Sequence, residues 1–297
     1  MRFTPLIAGM IAGLALSTAA QARDQISIVG SSTVYPFATI VAEKFGQSSG
    51  FKTPVIESTG TGGGMKLFCK GVGVEHPDVT NASRAMKSKE AKMCADAGVE
   101  FQEFIVGNDG IAFSNSLQGQ AFNISIAHIA AALAAELPYQ GNNQDNLSTN
   151  NLNTWAEVDA YTAKRTGAAP VGLPNIPVSV MVPPPTSGTR DAMGALFMKN
   201  GWKKLGLEGS GYKKLREDGA AIEVGENDSL IIEKLVADEN MFGVFGYSFF
   251  DQNRDKVQAS VLDGVVLDFE NVASYKYPAA RPLFFYVKKA HVGVIPG

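Results

Sequence analysis

The chain has 297 residues, 45% of them hydrophobic, with 26 Lys and Arg against 29 Asp and Glu and a formal net charge of −3. That length is enough for two domains with real cores. The mildly acidic balance excludes an obvious nucleic-acid binder, and any anion must be held by local donors against the overall field.

The first residues read as an export signal. Arg2 supplies the positive charge, residues 6–16 form the apolar run, and Ala20-Gln21-Ala22 ends it with small residues at cleavage spacing. The run is too short for a comfortable membrane span, and no cysteine closely follows it to take a lipid. Residues 1–22 are therefore expected to be a signal peptide, cleaved to leave an exported protein. Cys69 and Cys94 are the only cysteines, and export permits them to pair. With His76, His128 and His291 they show no metal-ligand spacing, so no metal or other cofactor is expected.

Beyond the signal, strand, turn and helix alternate. Residues 25–29 alternate as a strand and stop at Gly30. Val34, Phe37, Val41 and Phe45 then recur near helical spacing, with Pro36 tolerable in the first turn. Residues 52–56 read as a second strand and residues 65–70 as a short helix after the glycine run. Residues 78–82 form a third strand, followed by a helix over 88–97 with Ser88 as its cap. A strand over 101–106 is expected to stop at Gly107-Asn108-Asp109-Gly110. A new strand over 111–114 then starts a second domain.

In that domain residues 124–135 read as a helix and the Asn-rich stretch 141–153 as a surface loop. Trp155 reads as a core residue of the next helix. A strand over 178–182, a helix over 191–199 and a buried strand at 244–247 near a return crossing follow. Residues 262–287 are strand-rich. The chain stops at Pro296-Gly297 without the helix that would close such a domain, which suggests a truncated product. Strand-to-helix alternation with β-branched strands predicts the α/β class.

Four Ser/Thr/Gly turns carry the chemistry: Gly30-Ser31-Ser32-Thr33, Ser58-Thr59-Gly60-Thr61-Gly62-Gly63-Gly64, Asn81-Ala82-Ser83-Arg84 and Thr186-Ser187-Gly188-Thr189-Arg190. A helix start exposes unpaired N–H groups and the positive end of the peptide dipoles, and a tetrahedral oxyanion uses both. Ser32, Thr33, Thr59, Thr61, Ser187 and Thr189 add hydroxyls. Gly60 and Gly62 to Gly64 are read as allowing positive φ and close approach. The second turn lacks the Lys-Ser/Thr of a nucleotide P-loop. Each turn alone is ordinary capping; four together point to a small-oxyanion receptor.

Arg84 and Arg190 are the candidate guanidiniums, either able to hold two oxygens at once, while Lys66 reads as solvated. A protonated oxyanion also needs an acceptor, and Asp109 and Glu57 are the candidates. No histidine is evidently paired with Ser32 or Ser187, so an enzyme is not expected.

The chain resembles the substrate-binding proteins of bacterial phosphate ABC transporters over nearly its whole mature region. The likeness rests on Gly30 to Pro36, Glu57 to Gly64, Ala82-Ser83-Arg84, Asp109 to Ala112, Ser187 to Arg190, Gly243 to Tyr247 and Tyr277 to Val287. It implies a two-lobed type II periplasmic binding fold with a ligand cleft. Residues 23–107 and 250–297 would form the first lobe and residues 108–249 the second. It implies a periplasmic monomer that takes inorganic phosphate to inner-membrane ABC permease subunits and does no bond chemistry. The binding residues would be Ser32, Thr33, Thr59, Gly60, Ser83, Arg84, Ser187, Gly188 and Thr189. The best-known branch has aspartate at the place of Arg84 and arginine at that of Pro183, so the positive charge is relocated here. An exported adhesion protein on the same fold, or a receptor for sulfate, is the alternative reading.

Overall fold

The computed structural model describes residues 23–139, 146–185, 187–225 and 228–297. The expected signal peptide and Thr186 of the fourth turn lie outside the described residues.

The first lobe is built by β1 (Ser27–Gly30), α1 (Tyr35–Ser49), β2 (Val55–Ser58), α2 (Thr61–Phe68), β3 (Val79–Ala82), α3 (Ser88–Asp96) and the first half of β4 (Phe101–Ser116). β1 lies between β2 and β3, parallel to both. The glycine run is helical except at its first member. Gly60 has φ +70° and turns the chain into α2, whereas Gly62 to Gly64 are already inside it. Gly64 is needed for packing: a Cβ there would lie 2.6 Å from Gly30 Cα, so the helix rests directly on the strand. Beneath α2 the apolar side chains of Met65, Phe68, Ala82, Val99, Phe284 and Tyr286 close a small core. The expected Cys69–Cys94 disulfide sits in it.

The second lobe follows with β5 (Asn123–Ile124), α4 (Ile126–Leu133), β6 (Glu136–Pro138), β7 (Leu147–Thr149), α5 (Trp155–Thr166), β8 (Val180–Val182) and α6 (Gly188–Met193). α6 runs through a π-helical turn at Gly194–Lys199 into α7 (Asn200–Lys204). Then come β9 (Ala221–Glu223), α8 (Asp228–Ala237), β10 (Phe242–Gly246), α9 (Tyr247–Gln252), β11 (Val257–Ala259), β12 (Val261–Leu262) and α10 (Phe269–Ala273). Trp155 is in the core, as expected, meeting Phe113, Phe122 and Phe242 at ring distances of 5.2–5.9 Å. The Asn-rich stretch is not all loop, because β7 within it pairs antiparallel with β6.

Two segments differ from the sequence reading in ways that shape the cleft. Gly107 to Gly110 do not end a strand; β4 runs through them without a break. Its first half pairs with β13 (Ala280–Lys288) and its second half with β10 and β11. The glycines remain extended because β13 supplies ladder partners at Gly107 and Gly110, opposite Leu283 and Ala280, with a bulge after Leu283. The return to the first sheet comes with β13, from Ala280. Residues 257–259, placed in the first lobe by sequence, pair instead with Ser114 to Ser116 on the second-lobe half of β4. The connected strand path is β2-β1-β3-β13-β4-β10-β8-β9.

Candidate functional site

The two lobes meet where the first and fourth turns touch. Ser31 opens the turn that leads into α1: its carbonyl accepts from the amides of Val34 and Tyr35, and its buried Oγ has no protein partner. The Gly188 amide donates to Ser32 Oγ at 2.8 Å. Ser187 Oγ, in turn, accepts from the Thr189 amide at 3.1 Å. Glycine at 188 permits the close approach, since a Cβ would lie 2.7 Å from Thr33 Oγ1 and 3.0 Å from Ser31 Oγ.

Behind this seam lies a buried ion pair. Arg281 donates to Asp109 Oδ2 from Nε at 3.0 Å and from Nη2 at 2.9 Å. The same guanidinium reaches both lobes, bonding Thr33 Oγ1 at 3.2 Å and the Gly188 carbonyl at 3.2 Å. Asp109 and Arg281 are register partners on the two strands that link the lobes. Burial without partners would make either charge very unfavourable, so they hold each other in place.

Gly188 divides the cleft. On one side a cavity of about 370 Å³ brings together Ser32, Thr33, Asp109, Ser187 and Thr189. On the other, one of about 960 Å³ brings together Thr59, Gly60, Thr61, Arg84 and Gly188. Ser83 is fully buried, its amide donating to Thr61 Oγ1 and its Oγ lying 3.2 Å from the same atom.

Arg84 is gripped by Glu90, Nη1 to Oε2 and Nη2 to Oε1, both at 2.8 Å. That hydrogen bond raises the Arg84 pKa further, while its buried Nε has no protein partner. Burial pushes the Glu90 carboxyl up, but the Arg84 and Lys87 hydrogen bonds outweigh it and hold the group below the ordinary carboxylate range. Glu90 also accepts from the Lys87 amide at 2.8 Å, so the helix begins at Ser88 and Ser88 is not its cap. The end-on grip leaves the Nε edge of Arg84 for a ligand.

Not every residue read from sequence comes here. Arg190 turns to another cavity, donating to the Pro183 carbonyl at 2.6 Å with Glu223 at 3.8 Å. Burial lowers its pKa. Glu57 is exposed on β2. Sequence reasoning missed Arg281, Ser31 and Glu90 as site residues. The signal for Arg281 was its isolation as a lone charge ahead of the Leu283-Phe284-Phe285 run. Among the described residues no three His, Cys, Asp or Glu side chains gather as metal ligands.

Two α/β lobes joined by two extended strands, with hydroxyl, amide and guanidinium donors at the seam, define a type II periplasmic binding-protein fold. The chain belongs to the PBP superfamily, whose domain model matches residues 16–297. It is 27% identical over 288 residues to Protein SphX of Synechococcus elongatus, covering 93% of this chain and 73% of that protein. It is 24% identical over 289 residues to the Phosphate-binding protein PstS of Staphylococcus saprophyticus, covering 96% and 76%. Among solved structures, a possible phosphate binding protein from Planctomyces limnophilus superposes with a TM-score of 0.60 at 27% identity, over 91% of this chain and 83% of that one.

Proposed function

We propose that the protein is a periplasmic receptor that captures inorganic phosphate in the cleft and delivers it to the permease subunits of an ABC importer. The observation that carries this reading is the seam. Ser31 Oγ and Arg84 Nε are buried donors without a protein partner; Ser31 shares its turn with Ser32 and Thr33, which pack on Gly188, and Arg84 lines one cavity with Gly60, Thr61 and Gly188. A tetrahedral oxyanion entering between the lobes lies beside the Gly188–Ser32 contact and joins the two halves of the cleft around one ligand. The name of the Phosphate-binding protein PstS relative supports the same reading, as does the export signal expected from the sequence of residues 1–22.

Specificity rests on Asp109. Both Arg281 bonds go to Oδ2, which leaves Oδ1 as the acceptor for a phosphate O–H. Sulfate at neutral pH has no proton to give, so it would meet a carboxylate with no compensating bond. Closing the lobes excludes water from each charged hydrogen bond and produces a shape a permease can read.

The test is calorimetric titration of the mature protein with phosphate, arsenate and sulfate, after unfolding and refolding to remove carried ligand. Phosphate and arsenate are expected to bind and sulfate to bind far more weakly. Phosphate binding no tighter than sulfate would refute the specificity, and no binding of any tetrahedral anion would refute the receptor.

A further inference from the structure

The larger half of the cleft far exceeds what orthophosphate needs. Cavities of roughly 300–1,000 Å³ hold ligands of drug size, and this one, at about 960 Å³, would have a five-atom oxyanion in one corner. Its walls are also charged differently from the rest of the molecule. Lys66, Lys87, Lys89, Lys92 and Arg84 line it against three carboxylates, in a chain whose net charge is −3. Two of those cations are committed, Arg84 to Glu90 at 2.8 Å and Lys92 to Asp96 at 2.7 Å. Among the described residues Lys66, Lys87 and Lys89 make no ion pair. All three are exposed.

We infer that the cleft accepts a condensed phosphate, with diphosphate as its smallest form. One phosphoryl group occupies the seam beside Thr61, Arg84 and Gly188, and the next extends into the lysine-walled half. The seam recognises a PO₃ unit by its oxygens, and the phosphoryl attached to it would carry its charge toward Lys66 and Lys89. A monoester with a neutral tail would leave those ammonium groups without an anion, which favours the condensed form. This inference rests on the phosphate-receptor reading, since the seam must first hold one phosphoryl group.

The experiment is calorimetric titration of the refolded mature protein with orthophosphate, inorganic diphosphate and glycerol 3-phosphate. The parent is compared with a Lys66→Ala, Lys89→Ala double variant, whose exposed positions leave the fold intact. Diphosphate is expected to bind within tenfold of orthophosphate or tighter. The double variant is expected to lose at least tenfold for diphosphate and less than twofold for orthophosphate. Diphosphate more than tenfold weaker than orthophosphate overturns the inference while the receptor reading stands. So does glycerol 3-phosphate binding tighter than diphosphate, or a double variant that changes both anions alike. If neither orthophosphate nor diphosphate binds, the receptor reading falls and takes this inference with it.

Discussion

Adding one methyl group at Gly188 tests whether contact between the lobes is the closed, ligand-holding arrangement. Its Cβ would lie 2.7 Å from Thr33 Oγ1, 3.0 Å from Ser31 Oγ and 3.3 Å from Ser32 Oγ. Two of those oxygens have little room to swing away, because Thr33 Oγ1 accepts from Arg281 and Ser32 Oγ from the Gly188 amide. Ser31 Oγ has no partner and can rotate. The methyl therefore acts on a partly yielding wall, and the lower part of the overpacking range applies, about 1–2 kcal/mol. Because the clash exists only when the lobes meet, it should weaken phosphate binding by roughly 5- to 30-fold and leave the isolated lobes unaffected. Gly188 lies in α6 without a positive φ, so alanine introduces no backbone strain. Calorimetry of Gly188→Ala gives the affinity, and small-angle scattering with and without phosphate gives the closure. An affinity within twofold of the parent, with the same compaction on binding, would refute the idea that Gly188 marks the closing surface.

Three further outcomes follow from other parts of the molecule. Arg84→Ala should weaken phosphate binding by roughly 2–5 kcal/mol, the range for truncating a buried charged contact; calorimetry showing under about 0.5 kcal/mol would place Arg84 outside the site. Replacing Cys69 and Cys94 by serine opens a bridge with a sequence separation of 25. Its loss should lower stability by roughly 3–4 kcal/mol on the chain-entropy model, read as a drop in the urea midpoint that reducing agent no longer deepens. Lys288 is fully buried, and burial lowers its pKa to about 8. Since the unfolded value is near 10.4, the unfolded chain binds the extra proton between these pH values. Stability from this group should therefore rise with pH from about 8 to 10, by at most about 1.4 kcal/mol per unit. Urea unfolding across that window should show a flatter profile for Lys288→Met than for the parent.

The local turns were legible because each is written in a short stretch of sequence. Gly30, Gly60 and Gly188 each stand beside Ser or Thr in a short polar turn, and the structure needs each of them for a turn or a close approach. The export context made Cys69–Cys94 readable without any knowledge of the fold. What failed to show was whatever depends on pairing across long separations. Gly107 to Gly110 look like a break when read alone, yet β13, more than 160 residues later, keeps them extended. The same strand brings Arg281 to Asp109, and no local pattern announces that pair. Arg190 misled for the opposite reason. It follows a binding turn directly, but one residue along a helix rotates the side chain by about 100°, which carries it off the ligand face.

The position of the Arg281–Asp109 pair bears on how the receptor can open at modest energetic cost. Both residues lie on strands that link the lobes, and they face each other in the ladder. Opening that separates α6 from α1 breaks the Arg281 bond to the Gly188 carbonyl and the Gly188 bond to Ser32. It leaves the guanidinium on its carboxylate, because that pair belongs to the hinge itself. A buried charge that lost its only partner on opening would cost several kcal/mol and lock the lobes together whether or not phosphate were present. With the charge neutralised in both arrangements, the two hydrogen bonds found between these elements among the described residues, of about 1 kcal/mol each, are exchanged for water. The ligand, and not the empty seam, then decides the balance between open and closed.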